Sequence, residues 1–409
     1  MDEAVARRRS AGQDVLHLGF GEAGLLPSPG LAEALASAVQ RNGYGPVAGS
    51  EQARAAAAGW FARRGLATEP DQIIYAPGSK PLLFALLAAI GGDVVLPQPA
   101  WVTYAAQAAL LGRQVIGVPI PPEAGGIPDP ALLDQALREA RKHNNQPRVL
   151  ILTVPDNPTG TVAPASQVEA VCSIADRHGL AIVSDEIYAE LCHPGSAAAA
   201  PSAARYLPER TVVTTGLSKS LALGGWRIGF ARVPAGRWGN ELHRSLTGIA
   251  SEVWSALAAP MQEVARYALD EPAEIRERIA ASRRLHGRIA GAVHGVLVAA
   301  GAACRPPEAG FYLYPDFAPL APDLRARGIT TGAGLAAALL DRHGIATLPG
   351  SAFGDPDSAL TLRVATSLLY GDTAEQRTEA LAADRPETLP WIAPRLVRLG
   401  AGLRSLSGA

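Results

Sequence analysis

The chain has 409 residues, of which 48% are hydrophobic, and a formal net charge of -1. That length suits one large domain joined to a smaller one, and the near-neutral charge implies no nucleic-acid or anionic-membrane partner. Three cysteines, Cys172, Cys192 and Cys304, lie far apart with no metal-ligand spacing, and their odd number argues against a disulfide framework.

The first run of basic residues, Arg7 to Arg9, reads as a solvated arm. No charged-then-apolar leader and no membrane-length apolar run is present, so a soluble cytoplasmic protein is the expectation. An apolar run, Val15 to Leu18, then leads into Gly19-x-Gly21-x-x-Gly24. This is the spacing of a dinucleotide-binding fingerprint, which needs an immediate helix and an acid about 20 residues on. Pro27 and Pro29 stand where that helix should run, and no Asp or Glu occurs from Ala34 to Ser50. The glycines need another role.

Residues 77–92, "PGSKPLLFALLAAIGG", read as a turn followed by an apolar helix, with Pro81 allowed in its first turn. The middle of the chain alternates strands and helices. "RVLILTV" (148–154) is a strand, "VEAVCSIADRHG" (168–179) a helix with a glycine stop, and "LAIVSD" (180–185) and "TVVTTG" (211–216) are strands. This alternation predicts an α/β fold with a mostly parallel sheet flanked by helices. The tail after Thr388 reads as a terminal helix or a loosely held extension.

In such sheets ligands bind beyond the carboxyl ends of the strands. The first of these strands runs into Asp156-Asn157-Pro158-Thr159-Gly160, the second ends at Asp185-Glu186-Ile187-Tyr188, and the third at Ser218-Lys219-Ser220. Each motif alone has a plain structural explanation: a turn, a helix cap, a surface lysine. Together they place an amide, a carboxylate with a phenol, and an amine at one edge. Pyridoxal phosphate chemistry uses that set: a lysine for the aldehyde, an acid for the ring nitrogen, and donors for the ring oxygen. Asp185 fits the acid, and Asn157 and Tyr188 fit the donors. Arg227 and the amides of Gly78, Ser79 and Lys80 would serve the phosphate.

At this point the sequence resembles the fold-type-I pyridoxal phosphate enzymes, specifically the class I/II aminotransferases of the aspartate aminotransferase superfamily. The resemblance runs from about Leu16 to about Gly371. It is carried by the order of "LGFGE", "YGPVAGSEQAR", "PGSKPLLFAL", "PQPAWVTY", "DNPTG", "VSDEIY", "GLSKSLALGGWRIGF", "AGFYLYPDF", "LPGSAFG" and "LRVATS". It implies that Lys219 carries the cofactor and moves the proton, that Asp185 pairs with the ring nitrogen, and that Tyr188 and Asn157 bind the ring oxygen. It implies that Trp101 stacks on the ring and that Gly78, Ser79, Lys80, Ser218 and Arg227 surround the phosphate. Gly21, on an arm that closes over the site, Asn157 and Arg363 would bind the substrate. Tyr44 would reach the phosphate of a neighbouring subunit, which implies a homodimer with shared sites. Residues 1–43 would form the arm and part of a small domain, 44–287 the large cofactor domain, and 288–409 the rest of the small domain.

The chain departs from the family pattern at Gly216, where many relatives carry a phosphate-binding serine; Thr215 and Ser218 flank it. Lys80 also replaces a small or neutral residue of many relatives. The resemblance implies amino-group exchange between an α-amino acid and a 2-oxo acid. Elimination, substitution, cyclisation or oxidation on the same cofactor is the alternative. A transcriptional regulator would need a DNA-binding domain ahead of the arm, for which the residues before Leu16 leave no room. Residues 247–260 hold no Arg or Lys to meet a second carboxylate, so a neutral or polar amino acid is expected, with Lys80 the residue that would reverse this.

Overall fold

A computed structural model describes residues 2–196 and 199–407. Its centre is a seven-stranded sheet. The strands, with two short ones that precede and follow them in the chain, are β1 (Leu16–His17), β2 (Ile73–Pro77), β3 (Asp93–Gln98), β4 (Val115–Pro119), β5 (Pro147–Thr153), β6 (Ala181–Asp185), β7 (Thr211–Gly216), β8 (Ile228–Arg232) and β9 (Tyr312–Leu313). The sheet order is β2-β8-β7-β6-β5-β3-β4. All neighbouring pairs are parallel except those made by β8, which runs antiparallel to both β7 and β2.

The strands are apolar on both faces because helices cover both. Val149 and Ile151 of β5 pack in one cluster with Leu82, Leu83, Leu86 and Leu87 of the helix Ser79–Ile90. Leu150 and Leu152, the alternate residues, pack in another with Val168, Val171 and Ala175 of the helix Ala165–Arg177. A period of two within a continuous hydrophobic run is the mark of a strand buried between helical layers.

A second region holds β10 (Ile345–Ala346), β11 (Leu348–Pro349) and β12 (Leu362–Ala365). Here β11, β12 and β9 form a small antiparallel sheet, and β1 pairs in parallel with β10. Its apolar cluster combines Leu16, Leu18 and Leu25 from the N-terminal segment with Leu335, Leu339, Val364 and Leu403.

The helix Ala273–Ala299 runs unbroken through residue 287, where the sequence boundary was expected. Its Ile275 packs with Tyr75 and Phe230 of the central sheet, whereas Leu285, Ile289 and Val293 pack in the second region. Leu31, in the helix Pro29–Ala38, also joins the sheet-side cluster rather than the one holding Leu16. The chain thus crosses between the two cores near residues 26–30, earlier than the expected boundary at 43.

Candidate active site

Strand register builds the site. Thr153, Asp185 and Thr214 are neighbours at the carboxyl ends of β5, β6 and β7. Strand order reverses between β3 and β5, so the segments after them diverge to opposite sides and leave a crevice. A cavity of about 710 Å³ lies there. Its walls include Gly21, Ser79, Lys80, Trp101, Asn157, Asp185, Tyr188, Ser218, Lys219, Arg227 and Arg363, eleven of the thirteen residues singled out from the sequence.

The other two stand outside the lining. Gly78 lies beneath the Arg227 guanidinium, which occupies the space a Cβ there would need, and has a φ of +92° that favours glycine. Tyr44 is on an exposed stretch, 83% accessible, and does not line the cavity.

Asp185 is buried at the floor. Its Oδ2 accepts a 2.8 Å hydrogen bond from the Tyr104 hydroxyl, which also lies 2.8 Å from the Thr153 hydroxyl. Its Oδ1 is buried and makes no hydrogen bond of ordinary geometry with any described residue. Burial pushes the Asp185 carboxyl up to about 6; the Tyr104 bond, the Ile187 amide and Lys219 hold it from going further. A buried carboxylate with the Ile187 amide and Thr214 hydroxyl near it, but no well-formed bond at Oδ1, can accept from a cationic donor entering from the cavity.

Lys219 sits in the short helical turn Leu217–Ser220 directly after β7. Its Nζ donates to the Gly21 carbonyl at 2.5 Å, which brings the glycine-rich arm over the site. The arm has no helix until Pro29, so the Gly19-x-Gly21-x-x-Gly24 pattern does not form a dinucleotide turn. A Cβ on Gly21 would run into the Tyr312 hydroxyl, and one on Gly24 into the Ser367 carbonyl. These glycines serve close approach of the arm to β9 and to the turn after β12.

Arg363, on β12, is buried. Its Nη2 donates to the Gly19 carbonyl at 2.5 Å and its Nη1 to Asn157 Oδ1 at 3.4 Å. The guanidinium lies 4.9 Å from the Tyr312 ring centroid and 5.1 Å from that of Phe353. It is therefore held between two aromatic faces, a desolvated cation stabilised by ring quadrupoles. Burial lowers its pKa from the ordinary arginine value.

At the opposite end, the helix Ser79–Ile90 points its N-terminus into the cavity beside Arg227. Arg227 adopts a left-handed backbone, φ +55°, and donates to the Gly224 carbonyl at 2.8 Å. Gly229 on β8 has no room for a Cβ, which would meet Gly78 and the Ser79 amide. Free amides and a guanidinium at one point form a ready anion cradle. Gly216 pairs with Gly229, and a Cβ on it would press on the Ile228 carbonyl. The position has no space for a side chain unless β8 shifts.

Sequence reasoning missed Tyr104 and Tyr312. Tyr312 places its hydroxyl 2.9 Å from that of Tyr188 and 3.4 Å from the Gly21 carbonyl. Both tyrosines lie inside motifs already noted, three residues after Trp101 and within "AGFYLYPDF". Their side-chain direction was the missing information. Lys80 places its Nζ 5.2 Å from the Trp101 ring centroid. Among the described residues no cluster of acids, histidines and cysteines is suited to a metal, and no helix is long and apolar enough to cross a membrane.

The chain is similar to known aminotransferases in sequence and in fold. The aspartate aminotransferase of Geobacillus stearothermophilus is 32% identical over 391 residues, 92% of this chain and 93% of that protein. The aspartate/prephenate aminotransferase of Thermus thermophilus is 31% identical over 352 residues, 84% and 85% of the two chains. Among solved structures, the Thermus thermophilus aspartate aminotransferase with maleate superposes with a TM-score of 0.80 at 28% identity, covering 93% of this chain and 94% of that one. The N-succinyldiaminopimelate aminotransferase of Mycobacterium tuberculosis gives 0.78 at 25% identity, covering 93% and 94%. The profile of aminotransferase class I and II matches residues 13–376, and the chain belongs to that family of fold-type-I, pyridoxal phosphate-dependent aminotransferases.

Proposed function

We propose that this aminotransferase takes an acidic amino acid as donor, with the 2-oxo acid as its counterpart, and that Lys80 meets the distal carboxylate. The observation that carries this reading is the position of Lys80. Its ammonium is on the cavity wall, over Trp101, and ion-pairs with no carboxylate among the described residues. A cation left unpaired beside a substrate cavity favours an anionic group there. The names of the relatives, and the dicarboxylate maleate in the Thermus structure, support the same class. This replaces the neutral side chain expected from the cation-free segment 247–260, because the cation comes from a different element.

The donor set fits pyridoxal phosphate. When bound, the cofactor supplies an aldehyde for the amino group and an electron sink for the substrate carbanion. The unmet Oδ1 of Asp185 would hold the proton of the ring nitrogen, with Tyr104 fixing the carboxylate plane. Arg227 and the amides of Ser79 and Lys80 would hold the phosphate, with Ser218 beside it. Trp101 would cover the ring, and Asn157 and Tyr188 would donate to its oxygen. Lys219 would carry the cofactor and move the proton at the substrate Cα. Arg363, fixed by Gly19, Asn157 and two rings, would pair with the α-carboxylate, while the arm through Gly21 excludes water. The two apolar cores support a reading as a large cofactor domain and a smaller domain that share the long helix. Exposed Tyr44 supports a homodimer in which it reaches the partner's phosphate site.

The test compares kcat/KM for aspartate, glutamate, alanine and an aromatic amino acid in wild type and Lys80→Ala. A hydrogen bond to a charged group contributes ~1.5–3 kcal/mol, so the variant should lose about 10- to 150-fold on the acidic substrates and little on alanine. Equal losses on all four would reject Lys80 as the selecting residue.

A further inference from the structure

We propose that Tyr312 is a positioning residue: its hydroxyl donates to the Tyr188 hydroxyl and thereby strengthens the bond that Tyr188 gives to the cofactor's ring oxygen. The proposal rests on the placement of Tyr188 at that oxygen. The two hydroxyls are 2.9 Å apart and both side chains are buried. Each has a single proton. Once Tyr188 spends its proton on the ring oxygen, its own oxygen can only accept, and Tyr312 is the hydroxyl in position to donate.

The competing acceptor for Tyr312 is the Gly21 carbonyl. It is farther, at 3.4 Å against 2.9 Å to the Tyr188 hydroxyl. The order of donation is then Tyr312 to Tyr188 to ring oxygen. Consecutive hydrogen bonds in a buried chain polarise one another, so the second bond gains from the first.

The surroundings hold Tyr312 in this pose. Its ring centroid is 4.7 Å from Phe311 and 5.6 Å from Tyr188, the latter nearly edge-on. Gly160 has no room for a Cβ because the Tyr312 carbonyl lies against it. The charged groups facing the pair come from three elements. Arg363 on β12 lies over the Tyr312 ring and, at Tyr188, opposes the upward push of burial on the phenol. Asp185 on β6 adds to that push. In the cofactor-free protein Lys219 reaches the pair through the Gly21 carbonyl. Phe311, with buried His286 packed on it at 5.2 Å, closes the remaining side.

The readout is the pH midpoint of the visible absorbance of the loaded enzyme. Loss of the proton shared by the ring oxygen leaves full charge on that oxygen, which a stronger donor stabilises. Weakening the donor therefore raises the midpoint. Wild type, Tyr312→Phe, Tyr188→Phe and the double variant are loaded with pyridoxal phosphate and titrated. Tyr312→Phe keeps the ring and its contact with Arg363, and should raise the midpoint by roughly a few tenths of a unit. Tyr188→Phe should raise it further, and adding Tyr312→Phe to that variant should change nothing more. Incorporating 3-fluorotyrosine at position 312, a stronger donor of the same shape, should move the midpoint down. If Tyr188→Phe shifts the midpoint while both changes at Tyr312 leave it in place, the relay is wrong and the placement of Tyr188 stands. If Tyr188→Phe leaves it unmoved, the placement fails and the proposal with it.

Discussion

Asp185 works against the stability of the cofactor-free protein, and this gives its role a measurable signature. Burial disfavours the charge and pushes its carboxyl up to about 6, above the ordinary carboxylate range. A raised carboxyl contributes stability that is present below its unfolded pKa and is lost as pH rises through the folded one. Asp185→Asn removes that dependence. Cofactor-free Asp185→Asn should match the wild type in thermal stability near pH 4 or below and exceed it at pH 8, the gap opening between about pH 4 and pH 6 and staying constant above. Scanning calorimetry of both proteins across this range checks it; a variant less stable at pH 8 contradicts the account. With cofactor bound the order should reverse, since the ring nitrogen then compensates the charge. At this scale the sequence was legible wherever chemistry fixes residue type: Lys219, Asp185, Asn157 and Arg363 all reach the cavity. Tyr104 and Tyr312 were not legible, because an aromatic residue in a strand or helix start packs more often than it hydrogen-bonds. Only the register of β6 against β5, and of β9 against β12, turns their hydroxyls into site groups.

Elements meet the site through glycine. Gly216 and Gly229 face each other across β7 and β8, and the latter lets the N-terminus of the helix Ser79–Ile90 lie directly on the sheet. The departure at Gly216 is thus a packing requirement of this chain. Placing a serine there, Gly216→Ser, should lower stability by ~1–3 kcal/mol, the usual cost of overpacking, without tightening phosphate binding. Denaturant unfolding and cofactor titration of the variant measure both quantities; tighter cofactor binding at unchanged stability would show that the space exists. Strands β5, β6 and β7 were readable because their apolar runs are short and end at glycine or polar residues. The tail was less so. Its helix, Ala393–Ser407, docks by burying Leu399, Leu403 and Leu406 in the cluster that holds Leu16 and Leu339, and Arg398 adds bonds to Asp14 Oδ2 at 2.6 Å and to the His343 carbonyl at 2.9 Å, partners hundreds or tens of residues away. No local pattern encodes such partners.

For the whole molecule, the fold class followed from alternation of strands and helices, but the division between its two cores did not. The helix Ala273–Ala299 serves both, with Ile275 on one side and Ile289 on the other. An amphipathic pattern shows that a helix has an apolar face and does not show that two different cores share it. The proposed homodimer predicts a solution mass of about twice 42.4 kDa by light scattering, and Tyr44→Phe should weaken phosphate binding there; a fully active monomer contradicts the assignment of Tyr44. The central claim is that Lys219 and the groups around it exchange an amino group through the cofactor, and a single half-reaction tests it most directly. The loaded enzyme is mixed with aspartate in the absence of any 2-oxo acid, and the oxo acid released is counted per active site. The account predicts one equivalent, with the bound aldehyde converted to the amine, and none from Lys219→Ala. Continuous product formation without that conversion, or an undiminished yield from Lys219→Ala, would contradict it.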